Sequence, residues 1–129
     1  MKQTYLINIP PLPIGILSQS ISTLNLLAKL YLGMLFCNVL TDDVSELVET
    51  FRQEAEGNGI IEEAELLLGG FTRMELPRLH PELIEVMVNE DDELGFVFPT
   101  FVSPTLLHVW VETWETYDER EGNVLYGYN

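Results

Sequence analysis

The stretch "DVSELVETFRQEAEGNGIIEEAELLLGG", residues 43–70, predicts two acidic helices joined by a glycine-containing turn. Asp43 is followed three residues later by Glu46, an Asp-x-x-Glu version of the capping box that starts a helix. Helical spacing then predicts the buried side of the first helix: Val44, Leu47, Val48, Phe51 and Ala55. A second helix is predicted over residues 60–68 and ends at Gly69-Gly70, with inward residues Ile60, Ala64, Leu67 and Leu68. The stretch therefore predicts a helical hairpin with glutamates on its outer side.

A long apolar helix is predicted before this hairpin, from about Ser18 toward Cys37. Because its leucines spread round most of the helix, it needs cover on most sides, either as the central core helix or as the seam of a homodimer. Residues 16–40 are apolar enough to suggest a membrane helix, but Lys29 would then lie in the middle of the bilayer. We therefore expect a buried helix and no membrane contact.

Alternating apolar residues predict strands near both ends of the chain. "TYLINI", residues 4–9, alternates weakly. After Pro81 the alternation of Ile84, Val86 and Val88 predicts a strand that turns at "NEDDELG" into "FVF", residues 96–98. "LLHVWVETWETY", residues 106–117, alternates too, and a turn at "DEREGN" into "VLYGY" predicts a second hairpin.

This order of elements predicts an α+β fold. The N-terminal helices, the long apolar helix plus the acidic helical hairpin, are expected to pack on a C-terminal antiparallel sheet of hairpins. The length of 129 residues suits one hydrophobic core, so residues 1–129 are predicted to form a single domain.

The charge of the chain is strongly negative and unevenly distributed. Six basic residues stand against 21 acidic ones, and residues 1–41 contain no Asp or Glu. Phosphate contacts need cations, so direct binding to nucleic acid or to an anionic membrane is not expected. A protein partner with a basic surface would instead be attracted and would associate faster. The alternative is that the acids serve only solubility.

Cys37 is the only cysteine, so no internal disulfide can form, which favours a reducing compartment. The N-terminus lacks the zones of a signal peptide, and "IPPLP" at 9–13 would break its helix. We expect a cytoplasmic protein.

Residues 54–65 resemble the calcium loop of the EF-hand family. Positions 1, 3, 5, 6, 8, 9 and 12 of that loop are occupied by Glu54, Glu56, Asn58, Gly59, Ile61, Glu62 and Glu65. The resemblance implies a calcium site, yet the family prefers Asp at position 1, and no second loop follows. A tight turn needs only Gly57 as a left-handed helix cap, with Asn58 and Gly59 leading into the next helix. We expect the turn rather than a metal site.

The sequence contains few candidate catalytic or metal-binding residues. His80 and His108 are the only histidines, and on a strand His108 and Glu112 would be roughly 13 Å apart, too far to share one ion. The sequence has no phosphate-binding glycine loop, nucleophile elbow or zinc spacing. We therefore expect no enzyme, no catalytic residue and no cofactor.

Two tryptophans, Trp110 and Trp114, fall on one side of the predicted 106–117 strand, together with His108, Glu112 and Thr116. Aromatic residues with a polar group are enriched at binding hot spots, so this side could contact a partner. It could equally lie under the helices.

These observations predict a small acidic interaction protein that inhibits a partner by blocking its basic, nucleic-acid-binding surface. In composition it resembles phage anti-restriction and anti-CRISPR proteins that mimic DNA, which are viral proteins, and acidic immunity proteins. The alternative is a structural subunit of an obligate complex with apolar contacts, and a weak EF-hand-like calcium binder is third. We expect a homo-oligomer. The predicted contact residues are Glu54, Glu56, Glu62, Glu63, Glu65, Asp91, Asp92, Glu93, Trp110 and Trp114.

Overall fold

The computed structural model describes residues 2–69, 76–88 and 94–113. Four helices and three strands follow one another along these residues: β1 Lys2–Asn8, α1 Ile21–Cys37, α2 Val44–Gly57, α3 Ile61–Gly69, α4 Pro81–Val88, β2 Leu94–Ser103 and β3 Leu106–Thr113. The predicted α+β class is confirmed, with the helices between an N-terminal strand and a C-terminal hairpin.

The three strands form an antiparallel sheet in the order β1-β3-β2. The central strand places Leu107, Val109 and Val111 on the buried side, so the side with Trp110 is the one that faces away from the core, a choice that the alternation left open. Chain segment 9–16 continues from β1 beside the β2–β3 turn, where the Ile9 and Leu12 amides donate to the carbonyls of Thr105 and Pro104. The predicted strands 4–9 and 96–98 and the start of 106–117 are confirmed; the second hairpin's turn and return strand lie outside the described residues.

The segment after Pro81 is a helix, so the strand predicted there is wrong. Proline suits the first position of a helix because its fixed φ is helical and its missing N–H has no intrahelical partner there. His80 completes the start: its Nδ1 accepts the Glu82 amide at 3.1 Å and its carbonyl accepts the Ile84 amide. Leu83 is fully buried, whereas the Val88 side chain is exposed.

Helix α1 begins at Ile21, after the N-cap Ser20, rather than near Ser18. Its buried side includes Leu27, Tyr31 and Leu35, and the Tyr31 ring lies 6.0 Å from the Phe101 ring of β2. The prediction of a helix that is apolar on most sides is not confirmed, because one side is exposed and polar or small: Ser22, Asn25, Lys29, Gly33 and Cys37.

The hydrophobic core contains residues from all seven helices and strands and from the segment 9–16. Its largest fully buried side chains come from the 9–16 segment, the helices and the central strand: Ile16, Leu27, Tyr31, Leu35, Leu67, Leu83, Leu107, Val109 and Val111. At about 25 cal/mol per Å² of apolar area removed from water, such a core is the main term that holds the helices on the sheet. The helical hairpin is thereby fixed on its apolar side and open to solvent on its acidic side.

Candidate acidic and aromatic binding surfaces

Helix α2 starts as the sequence predicted. The Asp43 Oδ1 accepts the Glu46 amide at 3.1 Å, which makes Asp43 the N-cap. The Asp43 amide in turn donates to the Thr41 hydroxyl at 3.1 Å. Leu47, Val48, Phe51 and Ala55 are buried, as their helical spacing predicted.

The turn between α2 and α3 is a Schellman motif. The Ile60 amide donates to the Ala55 carbonyl at 2.9 Å, and the Gly59 amide donates to the Glu56 carbonyl at 3.1 Å. Gly59 has a φ of 74° and is the left-handed residue. The prediction that Gly57 takes this conformation is wrong, because α2 continues through Gly57 and Asn58 is its C-cap. Ile60 and Ala55 are both buried and give the motif its usual apolar contact.

The two helices bring the predicted glutamates around one end of the hairpin. Glu54, Glu56, Glu62 and Glu65 are exposed, and Glu63 is half-buried. Residues 42–65 contain nine carboxylates and one cation, Arg52. This acidic hairpin, residues 42–69, is the most strongly charged part of the described chain.

Arg52 is committed to a contact within the hairpin. Its Nε lies 2.7 Å from Glu65 Oε2 and its Nη2 lies 3.4 Å from Glu65 Oε1, so the guanidinium holds both carboxylate oxygens. The pair links α2 to α3. In the described part of the chain, no cation forms an ion pair with Glu54, Glu56 or Glu62.

The EF-hand resemblance is not matched by the backbone. Glu54 and Glu56 lie within α2, where residues two apart point in different directions, whereas an EF-hand loop turns these positions toward one ion. Glu65, at the last ligand position, is bound by Arg52. Across residues 2–69, 76–88 and 94–113, no group of three or more His, Cys, Asp or Glu side chains is placed to hold a metal ion.

The outer side of the sheet carries an aromatic surface. Trp110 is half-buried and stacks on Phe98 of β2, with ring centroids 4.5 Å apart. Leu6 of β1, 65% exposed, is paired with His108 on the same side. Glu112 is 5% exposed, so its carboxylate is not available to a partner that contacts Trp110. Trp114, Asp91, Asp92 and Glu93 lie outside the described residues.

The two histidines are not brought together. His80 caps α4, and its ring lies 6.4 Å from the Tyr5 ring. Partial burial and the Glu82 carboxylate raise the pKa of the Tyr5 hydroxyl above its ordinary value. His108 lies on the outer side of the sheet.

Helix α1 separates the acidic hairpin from the aromatic surface, and its exposed side borders a cavity on each flank. One cavity, of about 500 Å³, lies against α2, and the other, of about 680 Å³, lies against β2 and includes Trp110. Lys29 borders both. The Thr100 hydroxyl donates to Asn25 Oδ1 at 3.1 Å across the second cavity. Sequence reasoning missed these cavities, although the four-residue spacing of Lys29, Gly33 and Cys37 was a signal for an exposed side.

No protein-family model matches the chain, and no curated protein or solved structure is significantly similar to it. None of the helices in the described ranges combines the length and the apolar content that a membrane crossing requires. What the protein does must therefore be inferred from its own surfaces.

Proposed function

We propose that this protein binds a basic surface of a partner protein through the acidic hairpin and inhibits the partner by occupying that surface. The observation that carries the proposal is the engagement of Arg52, the hairpin's only cation, by Glu65, which leaves the exposed Glu54, Glu56 and Glu62 to face outward. Binding of this kind requires no chemistry, so we propose a binding protein rather than an enzyme. The cytoplasm is the compartment we propose.

Nucleic-acid-binding proteins are the partner class that this charge favours. Carboxylates on adjacent helical turns, such as Glu46 and Glu49 of α2, lie about 5–6 Å apart, so this part of the hairpin offers a row of negative charges to lysine and arginine side chains that otherwise contact phosphates. The row is sparser than duplex DNA, which carries one charge per roughly 1.7 Å. The hairpin would therefore cover a short basic groove rather than imitate a long duplex.

The experiment begins with the partner that the immobilised chain captures from cell extract, identified by mass spectrometry. Association and dissociation rates of the purified pair are then measured over a series of salt concentrations. Glu56→Gln with Glu62→Gln should slow association and flatten its salt dependence, because exposed charges beyond about 8 Å are screened at physiological ionic strength. Duplex DNA should compete with the protein for the partner.

A matched control removes two carboxylates elsewhere. Glu82 and Glu85 are exposed on α4, so Glu82→Gln with Glu85→Gln changes the net charge equally but leaves the acidic hairpin intact. Equal slowing in both double variants would mean that only overall charge matters. Affinity that responds to neither salt nor the hairpin variant would reject the proposal.

The second candidate is a structural subunit that binds through apolar contacts, and the aromatic surface favours it. Leu6 is 65% exposed, and Phe98 and Trp110 stack beside it on the same side of the sheet. A surface of this kind resembles an interface core, where aromatic residues supply most of the binding energy. The homo-oligomer is one form of this candidate. Light scattering that gives the mass of a monomer at micromolar concentration would exclude the homo-oligomer. If an oligomer forms through the aromatic surface, Leu6→Asp should dissociate it.

A further inference from the structure

The exposed seam between α1 and α2 forms an apolar groove. The short connection 38–43 folds α2 back antiparallel along α1, and the cavity between them has a volume of about 500 Å³. Met34, Leu47 and Phe51 are buried beneath it and Leu30 is half-buried. Leu40, which borders one end, is 73% exposed. The groove is thus lined by side chains that would lose water-exposed apolar area if it were filled.

The two rims of this groove are formed by residues four apart on each helix. Lys29, Gly33 and Cys37 form the α1 rim, and Glu46, Thr50 and Glu54 form the α2 rim. All six are exposed. The eight residue steps along each rim correspond to about 12 Å at a rise of 1.5 Å per residue, which matches apolar side chains at positions i, i+4 and i+7 of a third helix.

Gly33 keeps the middle of the groove open. It lies inside α1, where glycine weakens a helix relative to alanine. Apart from the adjoining backbone of α1 and the two neighbouring residues, no described atom lies within 4 Å of the place that a Cβ would take, and the φ of Gly33 is not left-handed, so neither packing nor backbone geometry requires glycine there. A side chain at this position would start in open space at the groove rim and would occupy part of the groove.

Charge across the groove is asymmetric. Glu46 and Glu54 lie on the α2 rim, and α2 also carries Glu49 and Glu56 outside the groove. Lys29 is the single cation of the α1 rim. A second copy of this chain is a poor occupant, because it has six basic residues in all and would bring further carboxylates to an acidic rim.

We propose that this groove receives an amphipathic helix of the basic partner, with apolar residues at i, i+4 and i+7 on the floor and Lys or Arg on the flank that faces α2. This groove proposal rests on the proposed function, because it assumes a basic partner. It adds that the partner is held by an amphipathic helix. The acidic hairpin's end sets the rate of encounter, whereas the groove sets the rate of dissociation.

The probe is a displayed library of helical peptides of about 15 residues, roughly four turns. Lys is fixed along one flank, and the three anchor positions vary among Leu, Ile, Met and Phe. Selected peptides should bind the full chain and slow alkylation of Cys37 by iodoacetamide, because this exposed thiol, the only one in the chain, lies on the rim. Gly33→Leu should weaken binding at least tenfold, whereas Ser45→Leu, which adds the same side chain at an exposed position of α2 outside the groove, should not.

Further variants separate the groove from the hairpin's end. Glu46→Gln should weaken peptide binding roughly two- to fivefold, as for an exposed ion pair, because Glu46 lies on the groove rim and not at the hairpin's end. Circular dichroism checks that Gly33→Leu keeps the fold. If no peptide is enriched over a Gly33→Leu counter-target, or if bound peptides leave Cys37 alkylation unchanged, the groove proposal is overturned. Loss of binding only in the Glu56→Gln, Glu62→Gln variant would overturn the groove and leave the proposed function standing. A wild-type dimer that Gly33→Leu converts to a monomer would make a second copy the occupant and would also overturn it.

Discussion

The guanidinium of Arg52 and the carboxylate of Glu65 join α2 to α3 through two contacts, of 2.7 Å and 3.4 Å. Both side chains are close to half exposed, at 42% and 47%, so solvent screens their attraction. The pair closes the acidic hairpin on one side and removes its only cation from the surface that a partner would meet.

Breaking this ion pair should have a small effect on stability. Arg52→Gln and Glu65→Gln should each lower the free energy of unfolding by less than about 1 kcal/mol, as for most exposed pairs. Urea unfolding of the wild type, the two single variants and the double variant gives the coupling energy, which we expect at about 0.2–1 kcal/mol and smaller at high salt. A coupling energy of several kcal/mol would mean that the pair is far better shielded from water than its 42% and 47% exposure indicates.

The left-handed glycine of the turn should be sensitive to substitution. Gly59→Ala places a Cβ on a residue with a φ of 74°, and we expect a loss of about 1–2 kcal/mol in the free energy of unfolding. Gly57 is the matched control, because it is the last residue of α2 and has open space where a Cβ would go. Gly57→Ala should stabilise by about 0.4–1 kcal/mol. If chemical unfolding showed Gly57→Ala to be less stable than Gly59→Ala, the left-handed residue would be Gly57.

The sequence predicts the acidic hairpin well because its signals are local. Asp43 with Glu46 marks the start of α2, and the apolar period that follows is helical. The end was placed two residues early, at Gly57 rather than Gly59, because either glycine can take the left-handed conformation. The strand predicted after Pro81 was wrong because Ile84, Val86 and Val88 alternate over too few residues to distinguish a strand from a helix. Pro81, at the first helical position, was the better signal.

Features that depend on distant parts of the chain could not be predicted. Glu112 alternates with Trp110 on the central strand, yet Glu112 is 5% exposed whereas Trp110 is half-buried. The groove arises only because α1 and α2 place Gly33 and Thr50 on opposite rims of one cavity, and neither residue indicates the cavity alone. Packing between elements, rather than local preference, decides both.

The cap of α4 gives a test of the helix that replaced a predicted strand. His80→Ala removes the Nδ1 acceptor of the Glu82 amide and should lower the free energy of unfolding by about 0.5–2 kcal/mol. His80→Asp is the conservative variant, since Asp is among the preferred N-cap residues, and it should restore or exceed wild-type stability. Thermal unfolding by circular dichroism measures both variants. If both variants lost the same stability, the imidazole ring of His80, rather than its hydrogen bond to the Glu82 amide, would matter at this position.

Calcium should not bind to residues 54–65. Glu54 and Glu56 diverge on α2, and Glu65 is held by Arg52, so a calcium ion would have to unwind the helix end and break the ion pair. Titration calorimetry should give no heat of binding at calcium concentrations up to about 100 µM, roughly tenfold above the weak end of the sensor range. Glu65→Gln should leave that result unchanged. A dissociation constant below about 100 µM that Glu65→Gln weakens would restore the calcium site.

The buried Tyr31 should make the fold sensitive to alkaline pH. Its side chain is 0% exposed, and burial raises the pKa of its hydroxyl above the ordinary 10.0. The unfolded chain therefore releases this proton at a lower pH than the folded chain. The stability that the neutral hydroxyl contributes is complete below pH 10.0 and is lost progressively as pH rises above it.

Comparison with Tyr31→Phe isolates this single proton. The difference in the free energy of unfolding between wild type and Tyr31→Phe should be constant from neutral pH to about 10 and should then move in favour of the variant by about 1.4 kcal/mol per pH unit. Urea unfolding of both proteins at a series of pH values measures it, and the raised pKa of Tyr5 is common to both and cancels. Parallel stability curves across the alkaline range would mean that Tyr31 ionises equally in the folded and unfolded chains, and that α1 does not bury its ring against Phe101.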